Sequence, residues 1–171
     1  GLHVLLLDVT PESIGKEGPK NSRGGGAFKA ATKMKPDPFI TADAQKRITL
    51  GNFDDDFDKI AEADWVIEVV VERMDIKQQV MARIEEAASD TAVISTNTSG
   101  LPIGEIAEGR PDAFKARFLG THFFNPPPIM PLLEIVRATG TDDSTVDRVL
   151  EYAKQLRKEP IVVKDSPGFA T

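Results

Sequence analysis

The residues best suited to acid–base chemistry are His122 and Glu134. His122 lies in Gly120-Thr121-His122-Phe123-Phe124-Asn125-Pro126-Pro127-Pro128, and Glu134 in Leu132-Leu133-Glu134-Ile135-Val136. A carboxylate against an imidazole holds one ring N–H, fixes the tautomer and makes the other nitrogen more basic. That is the equipment of a general base. For the two to meet, the chain must double back. Phe118 to Phe124 is rich in aromatic and β-branched residues and reads as a strand. The prolines stop it, because proline donates no ladder hydrogen bond. Leu132 to Val136 reads as the next strand, and a return over the proline turn could bring Glu134 beside His122. A lone histidine at the end of an apolar strand is more often a satisfied structural residue.

Other polar residues fall at the ends of apolar runs. Leu2 to Leu7 leads into Asp8, a near-continuous apolar run of the kind found in a parallel strand covered on both faces. Asp8 could accept hydrogen bonds from a ribose, or it could open the helix suggested by Thr10-Pro11-Glu12. Asp64 to Glu72 reads as a second buried strand, followed by a helix over Met74 to Ala88 with Ile76, Val80, Met81 and Ile84 at helical spacing. Of its two acids, Glu72 ranks above Glu68 because it ends the run, where open α/β sheets bind ligands. Thr91 to Gly100 is a strand running into Asn97-Thr98-Ser99, which could serve chemistry or merely cap the short helix starting at Pro102.

The stretch H-F-F-N-P, with a glutamate twelve residues after the histidine, resembles the (S)-3-hydroxyacyl-CoA dehydrogenase family of fatty-acid β-oxidation. The resemblance runs from Gly1 to Thr171, and the longer bacterial members are the most similar in wording. It implies that His122, oriented by Glu134, takes the substrate's 3-hydroxyl proton while hydride passes to NAD. It implies that Ser99 hydrogen-bonds the reacting oxygen. It places Asp8, Glu72, Lys77, Asn97 and Asn125 at the cofactor, with Asp8 favouring NAD over NADP. It further implies an acyl-CoA substrate, a homodimer in the intact protein, and fusion to or association with an enoyl-CoA hydratase. A different β-hydroxyacid dehydrogenase and a non-catalytic structural relative are the alternatives.

The expected architecture is α/β: a Rossmann-like, doubly wound, mostly parallel sheet lacking its first βα unit. Residues 1–164 are expected to form the NAD-binding domain, incomplete at its N-terminus. Residues 165–171 are expected to begin a linker to an absent helical domain. The missing glycine turn should leave a gap in the sheet and little activity in these residues alone. Gly24-Gly25-Gly26 follows no strand and lies in a segment that reads as a helix or loosened helix, with the glycines as a flexible break; the segment is basic, carrying Lys16, Lys20, Arg23, Lys29, Lys33 and Lys35. Those cations could meet CoA phosphates or simply face water. Lys35 to Phe39, with two prolines, reads as a break, Ile48 to Asn52 as a short strand, and Asp54 to Ala63 as an acidic helix. Thr141 to Lys158 is an amphipathic helix, and Ile161 to Val163 a last strand.

Composition sets the outer bounds. At 171 residues, 40% of them hydrophobic and 28% charged, the chain can bury a real core. A formal charge of -6 argues against a nucleic-acid binder. There is no cysteine, hence no disulfide or thiol chemistry. Nothing suggests a metal site, a signal peptide or a membrane span, and a cytoplasmic protein is expected.

Overall fold

The computed structural model describes residues 2–35, 37–39 and 41–169. Gly1, Pro36, Ile40, Ala170 and Thr171 lie outside the described residues, as do the parts of the expected 35–39 break and of the chain's two ends that fall on them. The chain divides into two compact units, Gly1–Ile60 and Ala61–Thr171.

In the first unit, β1 (Val4–Asp8) pairs in parallel with β2 (Ile48–Asn52), in a register that sets Asp8 opposite Asn52. The helix α1 (Ser22–Ala31) runs unbroken through the three glycines, which corrects the expected flexible break. Gly24 shows why: its face of α1 lies on the strands, and an added Cβ would come within 3.9–4.0 Å of Asp8 and of the Leu6 and Gly51 carbonyls. Packing of that face on the strands outweighs the poor helix propensity of the glycines. A short helix, α2 (Ala42–Gln45), precedes β2. The acidic run does not form the expected helix. Asn52 Oδ1 accepts the N–H groups of Asp54 and Asp55 at 3.0 and 2.9 Å, closing a turn instead. Only Phe57–Glu62 then coils, as a 3-10 helix.

The second unit is a five-stranded sheet in the order β3 (Trp65–Glu68), β4 (Val93–Thr96), β5 (Phe118–Phe123), β6 (Leu132–Arg137) and β7 (Glu159–Lys164). All neighbours are parallel except β5 and β6. The helices are α3 (Met74–Ala87), α4 (Ile103–Ile106), α5 (Asp112–Ala116) and α6 (Asp143–Gln155). On one face Val93, Leu119, Leu133 and Ile135 pack with Val146, Val149 and Ala153 of α6. Strand alternation turns Gly120, His122, Glu134 and Val136 to the opposite face, where Ile103 of α4 lies against Gly120. Helices thus serve both faces of a mostly parallel sheet, as the α/β expectation required. No helix among the described residues is long and apolar enough to cross a membrane.

The expected strand from Asp64 to Glu72 is cut short at Glu68. Its carboxylate accepts the Val70 N–H at 2.6 Å, and the Arg73 N–H turns back to the Val71 carbonyl at 2.7 Å. These bonds satisfy the backbone without a ladder, so Val69 and Val71 stand 64% and 61% exposed although they are β-branched.

Candidate active site

The proline loop between β5 and β6 returns the chain antiparallel, with His122 directly opposite Glu134. Facing residues in such a pair carry their side chains on one face within touching distance. Glu134 Oε2 lies 2.7 Å from His122 Nδ1. Glu134 is fully buried, and the His122 side chain is 14% exposed. A carboxylate only accepts, so Nδ1 carries the proton it donates and Nε2 is left with its lone pair. Ser99 Oγ, exposed, lies 3.1 Å from Nε2. The rings of Phe124 and Phe169 stand 4.8 and 5.7 Å from the imidazole, fixing its plane and covering it with apolar surface.

The turn carrying Ser99 is held from several sides. Asn97 Oδ1 accepts the Phe123 N–H at 3.0 Å, which ties the tip of β4 to the residue after His122. Glu72 accepts the Thr98 hydroxyl and, at 3.2 Å, the Ser99 N–H. Asp165, which sequence reasoning used only as a domain boundary, accepts the Ile103 and Gly104 N–H groups at 3.1 and 2.9 Å and fixes the start of α4. Lys158 was likewise missed. Its ammonium donates to the carbonyls of Pro127 and Met130, the latter at 2.8 Å, and so braces the proline loop. Burial holds its pKa below the ordinary lysine range. Its only signal in the sequence was a basic residue closing a helix.

Ser99, His122 and Glu134 also match a nucleophilic serine triad in residue type. Acyl transfer needs backbone donors for an oxyanion. Here the nearby donors are engaged: Ser99 N–H by Glu72, Leu101 N–H by Thr98 at 3.1 Å, and Ile103 and Gly104 by Asp165. These four N–H groups are thus already satisfied by side chains.

The remaining expected site residues are distributed as follows. Asn125 is exposed, just past the end of β5. Glu72 is half-exposed in the loop after β3, not at a strand end. Lys77 is buried on Glu68 and Glu72. Asp8 ends β1 in the first unit, where Oδ1 accepts the Val9 N–H at 2.7 Å and an Arg23 N–H at 3.4 Å. Of the basic segment, Lys20 is paired with Asp55. A dinucleotide offers ribose hydroxyls, and hydroxyl donors suit a solvent-facing carboxylate, which Asp8 provides in the first unit and Glu72, separately, in the second. The residues present fit that group. No three His, Asp or Glu side chains among the described residues are placed to hold a metal.

Comparison with known proteins agrees. Residues 1–166 match the family model for the 3-hydroxyacyl-CoA dehydrogenase NAD binding domain. A Bacillus subtilis protein described as "Probable 3-hydroxyacyl-CoA dehydrogenase" is 41% identical over 99% of this chain and 23% of its own length. The fatty acid oxidation complex subunit alpha of Idiomarina loihiensis is 46% identical over 66% of this chain and 15% of its own. The crystal structure of (S)-3-hydroxybutyryl-CoA dehydrogenase PaaH1 from Ralstonia eutropha superposes with a TM-score of 0.77 at 30% identity, covering 99% of this chain and 58% of that one. The α/β fold and the family match define a dinucleotide-binding domain. The chain belongs to the 3-hydroxyacyl-CoA dehydrogenase family and corresponds to its NAD-binding domain. It spans less than two thirds of the length of each of these three proteins.

Proposed function

We propose that the protein carrying this chain oxidises (S)-3-hydroxyacyl-CoA to 3-oxoacyl-CoA with NAD, in fatty-acid β-oxidation. The observation that carries this reading is His122 held between the Glu134 carboxylate and the Ser99 hydroxyl. Nε2 takes the proton of the substrate's 3-hydroxyl, and buried Glu134 stabilises the imidazolium that results. Ser99 donates to the same oxygen as negative charge grows on it. NAD, when bound, supplies the acceptor for the C3 hydride. In the reverse direction the His122 imidazolium returns the proton to the carbonyl oxygen. Asp8 and Glu72 receive ribose hydroxyls, and Asn97 and Asn125 line the nicotinamide end. The name of the Idiomarina relative supports a place beside other β-oxidation activities.

The test is NADH formation by the intact protein with (S)-3-hydroxybutyryl-CoA, set against free (S)-3-hydroxybutyrate. Turnover of the thioester, with competition by CoA, is expected. Preference for the free acid would instead favour a small β-hydroxyacid dehydrogenase, and NADH binding without turnover of either would favour a non-catalytic relative.

A further inference from the structure

One cation of the second unit takes no part in the proton transfer. Lys158 follows α6, and the way that helix ends aims it. Arg157 takes a left-handed conformation, with φ of 57°. Its N–H meets the Lys154 carbonyl at 3.0 Å, and the Lys158 N–H meets the Ala153 carbonyl at 2.9 Å. That paired closure turns the chain away at the helix end. The Glu159 N–H then meets the Pro131 carbonyl at 2.8 Å, which sets the start of β7 beside the end of the proline loop. Lys158 Nζ donates to two further carbonyls of that loop, Pro127 and, at 2.8 Å, Met130.

The loop has few donors of its own. Pro126, Pro127, Pro128 and Pro131 have no N–H to give. The Ile129 and Met130 N–H groups both turn to the Pro126 carbonyl, at 2.9 and 3.0 Å, and close the loop on itself. Among the described residues, the Lys158 ammonium and the Glu159 N–H are the donors that reach residues 126–131 from outside. A charged donor shared by two carbonyls holds more firmly than a neutral one.

Asn125 stands at the entrance of this loop. Among the described residues none hydrogen-bonds its side chain, so the backbone on either side sets its place. On the strand side that backbone is fixed: the Phe123 N–H is tied to Asn97, and the Phe124 ring lies against His122. On the other side it is only as firm as the loop.

We propose that Lys158 is a positioning residue: its ammonium clamps the Pro127 and Met130 carbonyls, and the clamped loop sets where Asn125 presents its amide to the nicotinamide. This rests on the dehydrogenase reading, which puts Asn125 at that end of the cofactor.

The experiment uses the intact protein and measures the Kd of NADH and of ADP-ribose, the same dinucleotide without its nicotinamide, by calorimetry. Lys158→Met keeps the apolar stem and removes the donors. It should raise the NADH Kd about 2- to 10-fold, the range of one hydrogen bond, and leave that of ADP-ribose unchanged. Lys158→Gln, one bond shorter and unable to hold both carbonyls, should show the same selective loss even if Lys158→Met fails to fold. In an Asn125→Ala background Lys158→Met should cost nothing further in NADH affinity, because groups that act through one another are not additive. Equal weakening of both ligands, an unaltered NADH Kd in either folded variant, or full additivity with Asn125→Ala would each overturn the proposal. Absence of NADH binding and of NAD-linked turnover in the unaltered protein would instead sink the dehydrogenase reading itself.

Discussion

Glu134 sits across the β5–β6 ladder from His122, its Oε2 2.7 Å from the imidazole Nδ1 and fully removed from water. A buried carboxylate at that distance decides which ring nitrogen is free to react. The two strands make this contact as a matter of register, because facing residues in an antiparallel pair share a face.

His122→Gln in the intact protein should therefore lose the chemical step and keep the cofactor. A kcat lower by about 10²- to 10⁴-fold is expected for loss of a general base, with NADH Kd unchanged. Steady-state kinetics beside a binding titration checks it, and near-normal turnover would rule the role out.

Ser99→Ala removes one donor from the reacting oxygen, and a loss of about 10²-fold in kcat is expected. A serine-directed phosphonate ester should leave Ser99 unlabelled, because Glu72, Thr98 and Asp165 engage the N–H groups around it. Mass spectrometry after incubation reads the result; a stoichiometric adduct on Ser99 would show that the site acylates.

The strands and the His122–Glu134 pair were legible because both depend on local alternation and on a turn written in prolines. The end of β3 was not. Val69 and Val71 carry every local mark of a strand, yet the Glu68 and Lys77 side chains, and not a neighbouring strand, satisfy the Val70 backbone between them. The burial of Lys77 was hidden too, because which acids it meets depends on α3 folding back onto the tip of β3. Gly24-Gly25-Gly26 misled in the other direction, since close packing of α1 on the strands overrides propensity.

The glycines of the second unit and of α1 separate by what a methyl group would meet. At Gly120 an added Cβ would lie 2.9 Å from Val136 Cβ and 3.2 Å from its Cγ2. Gly120→Ala should destabilise by about 1–3 kcal/mol, the usual cost of overpacking. Gly26 lies within α1 with nothing within 4 Å of such a Cβ, and Gly26→Ala should stabilise by about 0.5–1 kcal/mol. Urea unfolding followed by the fluorescence of Trp65, the one tryptophan in the sequence and a residue of the second unit, tests Gly120→Ala, and unfolding followed by far-UV circular dichroism tests Gly26→Ala. Equal effects at the two positions would contradict the packing described.

Glu72 predicts an acid limb. Burial pulls its carboxyl upward, but hydrogen bonds from Thr98 and Lys77, the Lys77 charge and the Ser99 N–H outweigh that and leave it below its ordinary value. A carboxylate depressed in the folded state contributes stability that is whole above its unfolded pKa and lost as pH falls through the folded one. The contribution should be intact above a pH of about 4.3, the unperturbed glutamate value, and vanish in more acidic solution. Stability curves for Glu72→Gln and the unaltered chain should converge there; curves that stay parallel would show that the carboxylate is not anchored as described.

The antiparallel reversal at β5–β6 has one more consequence. Since His122 and Glu134 meet through strand pairing, the ladder and not the length of the loop sets their contact. An insertion among the exposed residues of that loop leaves the pair facing, whereas a single-residue insertion between Leu132 and Glu134 would slip the pairing by one and turn the carboxylate to the α6 side. Within this stretch, tolerance for sequence drift and intolerance of it are separated by a few residues.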